Sequence, residues 1–174
     1  MKLISDFFEN SFIIDKSKFN ILVIENKKYY RSLIKSLLQT IKSKSNDFII
    51  IDELEEVDIS KYGEIITDIF DIDPNNSKIL NKLYKILIKE LAETELYKES
   101  LDFKNNTNTF IEKLIFNFEY DLNYQELDYK YLFKAVDLHI DSQFQGHMAR
   151  LIEYIDISYK ILGKKIFFFY SKPR

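Results

Sequence analysis

Phe48 to Glu53 reads FIIIDE, an apolar strand that ends on two carboxylates. That is the form of the strand that positions magnesium in phosphate-loop nucleoside triphosphatases. The same chemistry needs a glycine-rich loop whose amides cradle phosphate, followed by Lys and Ser or Thr. Here the strand-to-helix turn that would serve is Glu25-Asn26, with no glycine and a carboxylate where phosphate would sit. Nucleotide hydrolysis is therefore not expected, and no nucleotide cofactor. Asp52 and Glu53 read as the solvated end of a buried strand or, with Asp68, as ligands of a metal-dependent phosphodiesterase. His139 and His147, the only imidazoles, have no serine and carboxylate arranged as a triad, so no role is assigned to them. With no cysteine in the chain, disulfides, zinc-thiolate sites and thiol nucleophiles are excluded together.

Charge is the second chemical signal. From Lys27 to Lys44 the chain carries six basic residues and no acid, within a protein of net charge −3. Lys28, Arg31, Lys35 and Lys42 line one face of a helix whose other face carries Tyr30, Ile34, Leu37 and Ile41. A second stripe, Lys78, Lys82, Lys85 and Lys89, lies on a later helix. Spacings of three and four set such charges about 5–6 Å apart, a row that can follow a phosphate backbone or simply be a solvated face. Between Glu90 and Asp128 ten acids stand against three lysines. Four of them, Glu119, Asp121, Glu126 and Asp128, cluster around one turn. Hard oxygen ligands on irregular backbone suit calcium, although no EF-hand pattern is present and a solvated face is the plainer reading.

The elements that must position these groups alternate between strand and helix. Ile21 to Ile24 is a continuous apolar run, the pattern of a strand buried in a parallel sheet, and it feeds straight into the basic helix. Phe12–Ile14 and Phe48–Ile51 read as further strands, and EIITDIF around Ile65 as an extended piece or short helix. Asp73 and Pro74 mark the start of a long helix, with Asp73 as cap. Asn105 to Asn108 break the pattern before another helix, and Tyr131 to Val136 forms a short third one. Leu138 and Ile140 suggest a return to the sheet. A last helix from about Ser142 carries the stripe Met148, Ile152, Ile155, Tyr159 and Leu162, and Gly163 is its C-cap. Ile166 to Tyr170 closes the chain as a buried strand. The expected organisation is an α/β head in two parts, residues 1–74 and 137–174, around a helical extension, residues 75–136.

A chain of 174 residues supports a substantial core. Asp6 and Glu9 interrupt the apolar N-terminal stretch in a way that a signal-peptide core does not tolerate, and no run reaches the ~20 apolar residues of a membrane span. A cytoplasmic protein with no membrane partner is expected.

The stretches ILVIENKKYYRSLIKSLLQ, EIITDIFDIDPNNSKILNKLYKIL and YLFKAVDLHIDSQFQGHMARLIEYIDISYKILGKKIFFFY, in this order and spacing, resemble the accessory adaptation protein of type II-A CRISPR systems. The likeness is a pattern of apolar positions over most of the chain rather than a signature of invariant residues. It implies a degenerate nucleotide-hydrolase-like (Rossmann-like) sheet domain with an inserted α-helical domain, and assembly into a homotetrameric ring. It also implies binding of double-stranded DNA, preferring ends, through a positive channel, with calcium stabilising the ring and no catalysis. The partners implied are the CRISPR integrase complex and the effector nuclease, in spacer acquisition. By position, Glu119, Asp121, Glu126 and Asp128 fall where the family places carboxylates for calcium, whereas the basic residues follow from helical periodicity alone. Family members continue with further helix and strand beyond the position of Arg174, so a short variant or a truncated form is expected. A metal-dependent nuclease, or a protein-interaction module whose acidic insertion docks a basic partner, are the alternatives.

Overall fold

The computed structural model describes residues 1–18, 20–142 and 146–170. The chain is mixed α/β and divides into two compact units, one formed by residues 1–72 and 144–174, the other by residues 73–143.

In the first unit, strands β1 (Lys2–Ser5), β2 (Phe12–Ile13), β3 (Phe48–Asp52) and β4 (Glu55–Val57) form one sheet in the order β2-β1-β3-β4. Every pairing in it is antiparallel. For β3 and β4 this follows from the two residues between them, a connection too short for a parallel crossover. Register places Leu3 opposite Ile50 and Ser5 opposite Phe48, so the buried residues of both central strands share one face. Helix α1 (Lys27–Ile41) covers that face with Leu33 and Leu37, and these join Leu3, Phe48, Ile50 and Ile59 in the core. Ile50 is completely buried. Burial of a side chain of that size contributes roughly 1.5–3 kcal/mol.

The buried stripe of α1 is Leu33, Ser36, Leu37 and Thr40, so half of it is polar. Ser36 donates its hydroxyl to the Asp47 carboxylate, and Thr40 donates to the Ser36 carbonyl at 3.2 Å and lies 3.1 Å from the Ser45 hydroxyl. Each buried hydroxyl thereby replaces the water it lost.

A short helix α2 (Ile59–Tyr62) leads directly into β5 (Gly63–Ile66), which pairs in parallel with β6 (Ile166–Phe169). Lys164 fixes this corner. It is 5% exposed, and its ammonium donates to the carbonyls of Ser60 (3.2 Å), Lys61 (2.8 Å) and Gly63 (2.6 Å). These are orphan acceptors at the end of α2, where a cation is also favoured by the helix dipole.

Helix α6 (His147–Leu162) ends, as expected, on Gly163 in the left-handed conformation, φ 71°. Its orientation is not the expected one. Met148, Ile152 and Tyr159, expected to be buried, are 64%, 65% and 57% exposed, and the helix instead buries Leu151, Ile157 and Ser158. Apolar residues occupy more than one stripe of this helix, and Tyr154, whose hydroxyl donates to Glu64 Oε1 at 2.8 Å, helps select the buried one. A second correction concerns Ile21–Ile24: the segment lies in neither strand nor helix and has no strand partner among the described residues, and Ile21 and Val23 are each 78% exposed.

The second unit comprises α3 (Ser77–Glu93), α4 (Leu96–Phe116) and α5 (Tyr129–Ala135). Asn76, not Asp73, caps α3 by accepting from the amides of Lys78 and Ile79. Asp73 instead accepts from the Asn75 amide in the turn before it. Helix α4 runs unbroken through Asn105–Asn108. The chain after it lies along its side: Asn108 accepts from the Leu127 amide, Lys104 pairs with Glu126, and the Tyr129 hydroxyl reaches the Ser100 carbonyl. These contacts offset the weak helix propensity of the asparagines. Leu138 and Ile140 do not return to a sheet. The Tyr84 hydroxyl donates to the Leu138 carbonyl at 2.8 Å, and the Asn75 side chain pairs with Ile140, which holds this segment in the helical unit.

Candidate nucleic-acid interface

The basic face of α1 follows from what the helix buries. With Leu33, Ser36, Leu37 and Thr40 turned to the core, a rotation of 100° per residue puts Lys28, Arg31, Lys35 and Lys42 on the opposite side. All four are exposed or partly exposed, away from the core cluster. None is ion-paired among the described residues, and the first turn of α1 contains no acid. Asn26 sets where the row begins, its side chain accepting from the amides of Lys28 (3.0 Å) and Tyr29 (3.1 Å). From Lys28 to Lys42 the row spans about 21 Å at 1.5 Å per residue. Four uncompensated charges over that length suit a polyanion with regularly spaced phosphates.

Helix α3 buries Ile79 and Tyr84, which leaves Lys78, Lys82, Lys85 and Lys89 outside its buried face. This stripe is partly compensated, because Lys89 lies 3.4 Å from Glu93 one turn on. An exposed pair of that kind contributes little to stability, but it lowers the net charge offered to a phosphate. The two stripes belong to different units.

The acidic turn is less united than its sequence suggests. Glu126 is ion-paired with Lys104 at 2.9 Å, and that ammonium, first by hydrogen bonding and then by its charge, holds the Glu126 carboxyl below its ordinary value. Asp128 caps α5 by accepting from the Lys130 amide at 2.8 Å. Glu119 and Asp121 are exposed and carry no ion pair among the described residues. Among the described residues no three His, Asp or Glu side chains converge to hold a metal ion. Within one chain the set offers calcium the right ligand type, but its carboxylates do not converge.

The carboxylates considered for phosphodiester chemistry are engaged singly. Asp52 pairs with Lys16 at 2.7 Å beside an open hollow of about 650 Å³, whose lining includes Met1, Ile14 and Glu53. Asp68 accepts from the Phe70 amide in its own turn at 2.8 Å. His139 Nδ1 lies 2.6 Å from the Asp137 carbonyl, and the His147 ring meets Phe70 edge-on at 4.6 Å. Among the described residues no helix is long and apolar enough to cross a membrane.

A family model described as CRISPR-associated protein (Cas_Csn2) matches residues 39–173 of the 174. The chain belongs to this Cas_Csn2 family. Within the match lie the Lys78–Lys89 stripe and the acidic turn, whereas Lys28, Arg31 and Lys35 precede it. The α1 row of this Cas_Csn2 member thus rests on its own geometry. Among curated proteins, no match is found.

Sequence reasoning missed β1, β4, α2 and the burial of Lys164, Ser36 and Thr40. For Ser36 and Thr40 a signal was present, since both continue the spacing of Leu33 and Leu37 by three. For Lys164 there was none, because its acceptors lie about a hundred residues earlier in the chain.

Proposed function

We propose that this Cas_Csn2 family member is a non-catalytic subunit that binds double-stranded DNA without reading sequence, preferring ends, and assists spacer acquisition beside the CRISPR integrase complex and the effector nuclease. The observation that carries the reading is the row Lys28, Arg31, Lys35 and Lys42, uncompensated by acid and set opposite the buried face of α1. Family membership supplies the CRISPR context. Phosphate contacts from such a row supply affinity and no base discrimination.

Assembly into a homotetrameric ring is part of the proposal, and one feature of the helical unit supports self-association. Leu96, Phe103, Phe110 and Leu114 repeat at seven, seven and four along α4 and are all exposed. Contiguous apolar surface at heptad spacing is what a partner helix covers. The same feature favours the rival reading, a protein-interaction module without DNA binding. Calcium enters as the ion proposed to strengthen the ring, with Glu119 and Asp121 the carboxylates open to it. We further propose that the parallel β5–β6 pair belongs to a degenerate nucleotide-hydrolase-like (Rossmann-like) sheet.

The test is binding of unrelated duplexes at graded salt. Four contacts predict a log–log slope of about −3.6, at roughly −0.9 per neutralised phosphate. Binding that differs sharply between sequences, or does not respond to salt, counts against the proposal.

A further inference from the structure

Helix α4 is 21 residues long and buries none of them. A helix in water is held chiefly by the packing of one face, and Asn105 to Thr109 at its centre are weak helix formers. One line of α4 is engaged: Lys104, Asn108 and Glu112, four apart, meet Glu126, the Leu127 amide and the Tyr124 hydroxyl. Roughly a third of a turn away runs the line Leu96, Ser100, Phe103, Thr107, Phe110 and Leu114, spaced alternately by four and three, which is the seam of a coiled coil. Leu96, Phe103, Phe110 and Leu114 are each half exposed or more, and Ser100 and Thr107 are partly exposed.

The seam matches a second copy of itself when the two helices run antiparallel. In the heptad register Leu96 faces Leu114 of the partner subunit, Phe103 faces Thr107 of the partner subunit and Phe110 faces Ser100 of the partner subunit. Each aromatic ring thus meets a small side chain, as a filled interface requires. A parallel pair would instead set ring on ring and hydroxyl on hydroxyl. The positions flanking the seam agree with the antiparallel choice, since Glu99 comes opposite Lys113 of the partner subunit and Asn106 opposite Asn106 of the partner subunit. Neither Glu99 nor Lys113 has an ion pair among the described residues. The Asn106 amide both donates and accepts, so it can bond to its own copy.

We infer that α4 is the seam of a two-fold dimer, packed antiparallel on α4 of a second copy in this register, with Asn106 beside the axis. The inference rests on the self-association proposed above and gives it a surface, a direction and a register; DNA binding does not enter. Pairing takes the apolar stripe out of water and supplies the buried face that α4 lacks in the single chain.

Cross-linking tests it, because the chain has no cysteine of its own. Leu96→Cys and Leu114→Cys are made in separate chains and oxidised mildly, alone and mixed. The mixture should give a disulfide-linked dimer. Each variant alone should not, since an antiparallel pair holds the two copies of either residue about 27 Å apart, beyond the reach of a disulfide. Self-linking of each variant as efficient as in the mixture overturns the antiparallel direction and leaves self-association standing. A mixture that does not cross-link overturns the pairing, and a tetramer still present by mass would then assign the ring to another surface. Glu99→Lys should weaken the dimer on the order of tenfold, and Glu99→Lys with Lys113→Glu should restore it. A double variant as weak as the single one overturns the register.

Discussion

Asn75 and Ile140 pair as two strands would: Asn75 Oδ1 accepts from the Ile140 amide at 2.8 Å, and Asn75 Nδ2 donates to the Ile140 carbonyl at 2.9 Å. One side chain thus satisfies both backbone groups of a residue 65 positions away and ties the two ends of the helical unit together. Asn75→Ala leaves a donor and an acceptor without partners, and should lower stability by about 1–3 kcal/mol. Asn75→Asp keeps the acceptor and should lose less. The urea midpoint measures both, and an unchanged midpoint for Asn75→Ala would show that the pair does not stabilise the unit.

Lys164 makes the corresponding contact in the first unit. Lys164→Met strips three carbonyls of a charged donor and should cost about 3 kcal/mol, read as a lower thermal midpoint. Lys165→Met is the control. Its exposed side chain lies over the Tyr62 ring at 4.8 Å, and its removal should cost no more than about 1 kcal/mol.

Lys104 and Glu126 predict a pH dependence. The Glu126 carboxyl is lowered from its ordinary 4.5 by Lys104, so its contribution is present above the unfolded value and is lost as pH falls through the folded one. Lys104 is raised from 10.5 by the same partner, so its contribution is present below that value and is lost only as pH rises through the folded one. Glu126→Gln should therefore flatten the stability profile below pH 4.5. The pair is exposed, so the effect is small. An acid limb identical to that of the wild type would show that the pair is not formed in solution.

Much of this fold was legible. Runs of apolar residues marked β3 and β6, Gly163 marked the end of α6, and the spacing of apolar residues located α1 and α3, while the segment of β5 read equally as strand or helix. Two of the misreadings share one cause: the deciding partner lay far away in sequence. Asn105–Asn108 reads as a break until the chain around Leu127 lies along α4. Leu138–Ile140 alternates like a strand, yet Asn75 and Tyr84 hold it elsewhere. Of the candidate site, the α1 row was legible because burial of one helix face dictates exposure of the other. The acidic turn was not, because composition does not reveal that Lys104 and the α5 amides engage two of its four carboxylates.

Arg31→Glu with Lys35→Glu should weaken duplex binding for all sequences alike. It should also flatten the salt dependence by about 1.8 in slope, two contacts at roughly 0.9 each. The same reversal at Lys82 and Lys85 tests the α3 stripe separately. Whichever pair leaves both affinity and slope unchanged does not face DNA.

Mass measured with calcium and with a chelator reports on the ring, with a tetramer favoured by calcium as the expected result. Glu119→Gln with Asp121→Asn should remove any calcium dependence. A strict monomer under both conditions would leave the exposed α4 stripe to another partner.

The most direct measurement is the affinity of the wild-type protein for a blunt duplex of arbitrary sequence, titrated from low to physiological salt. The expected result is tight binding at low salt that falls with a log–log slope of about −3.6 and does not distinguish one sequence from another. Absence of binding at low salt in the presence of calcium would contradict it.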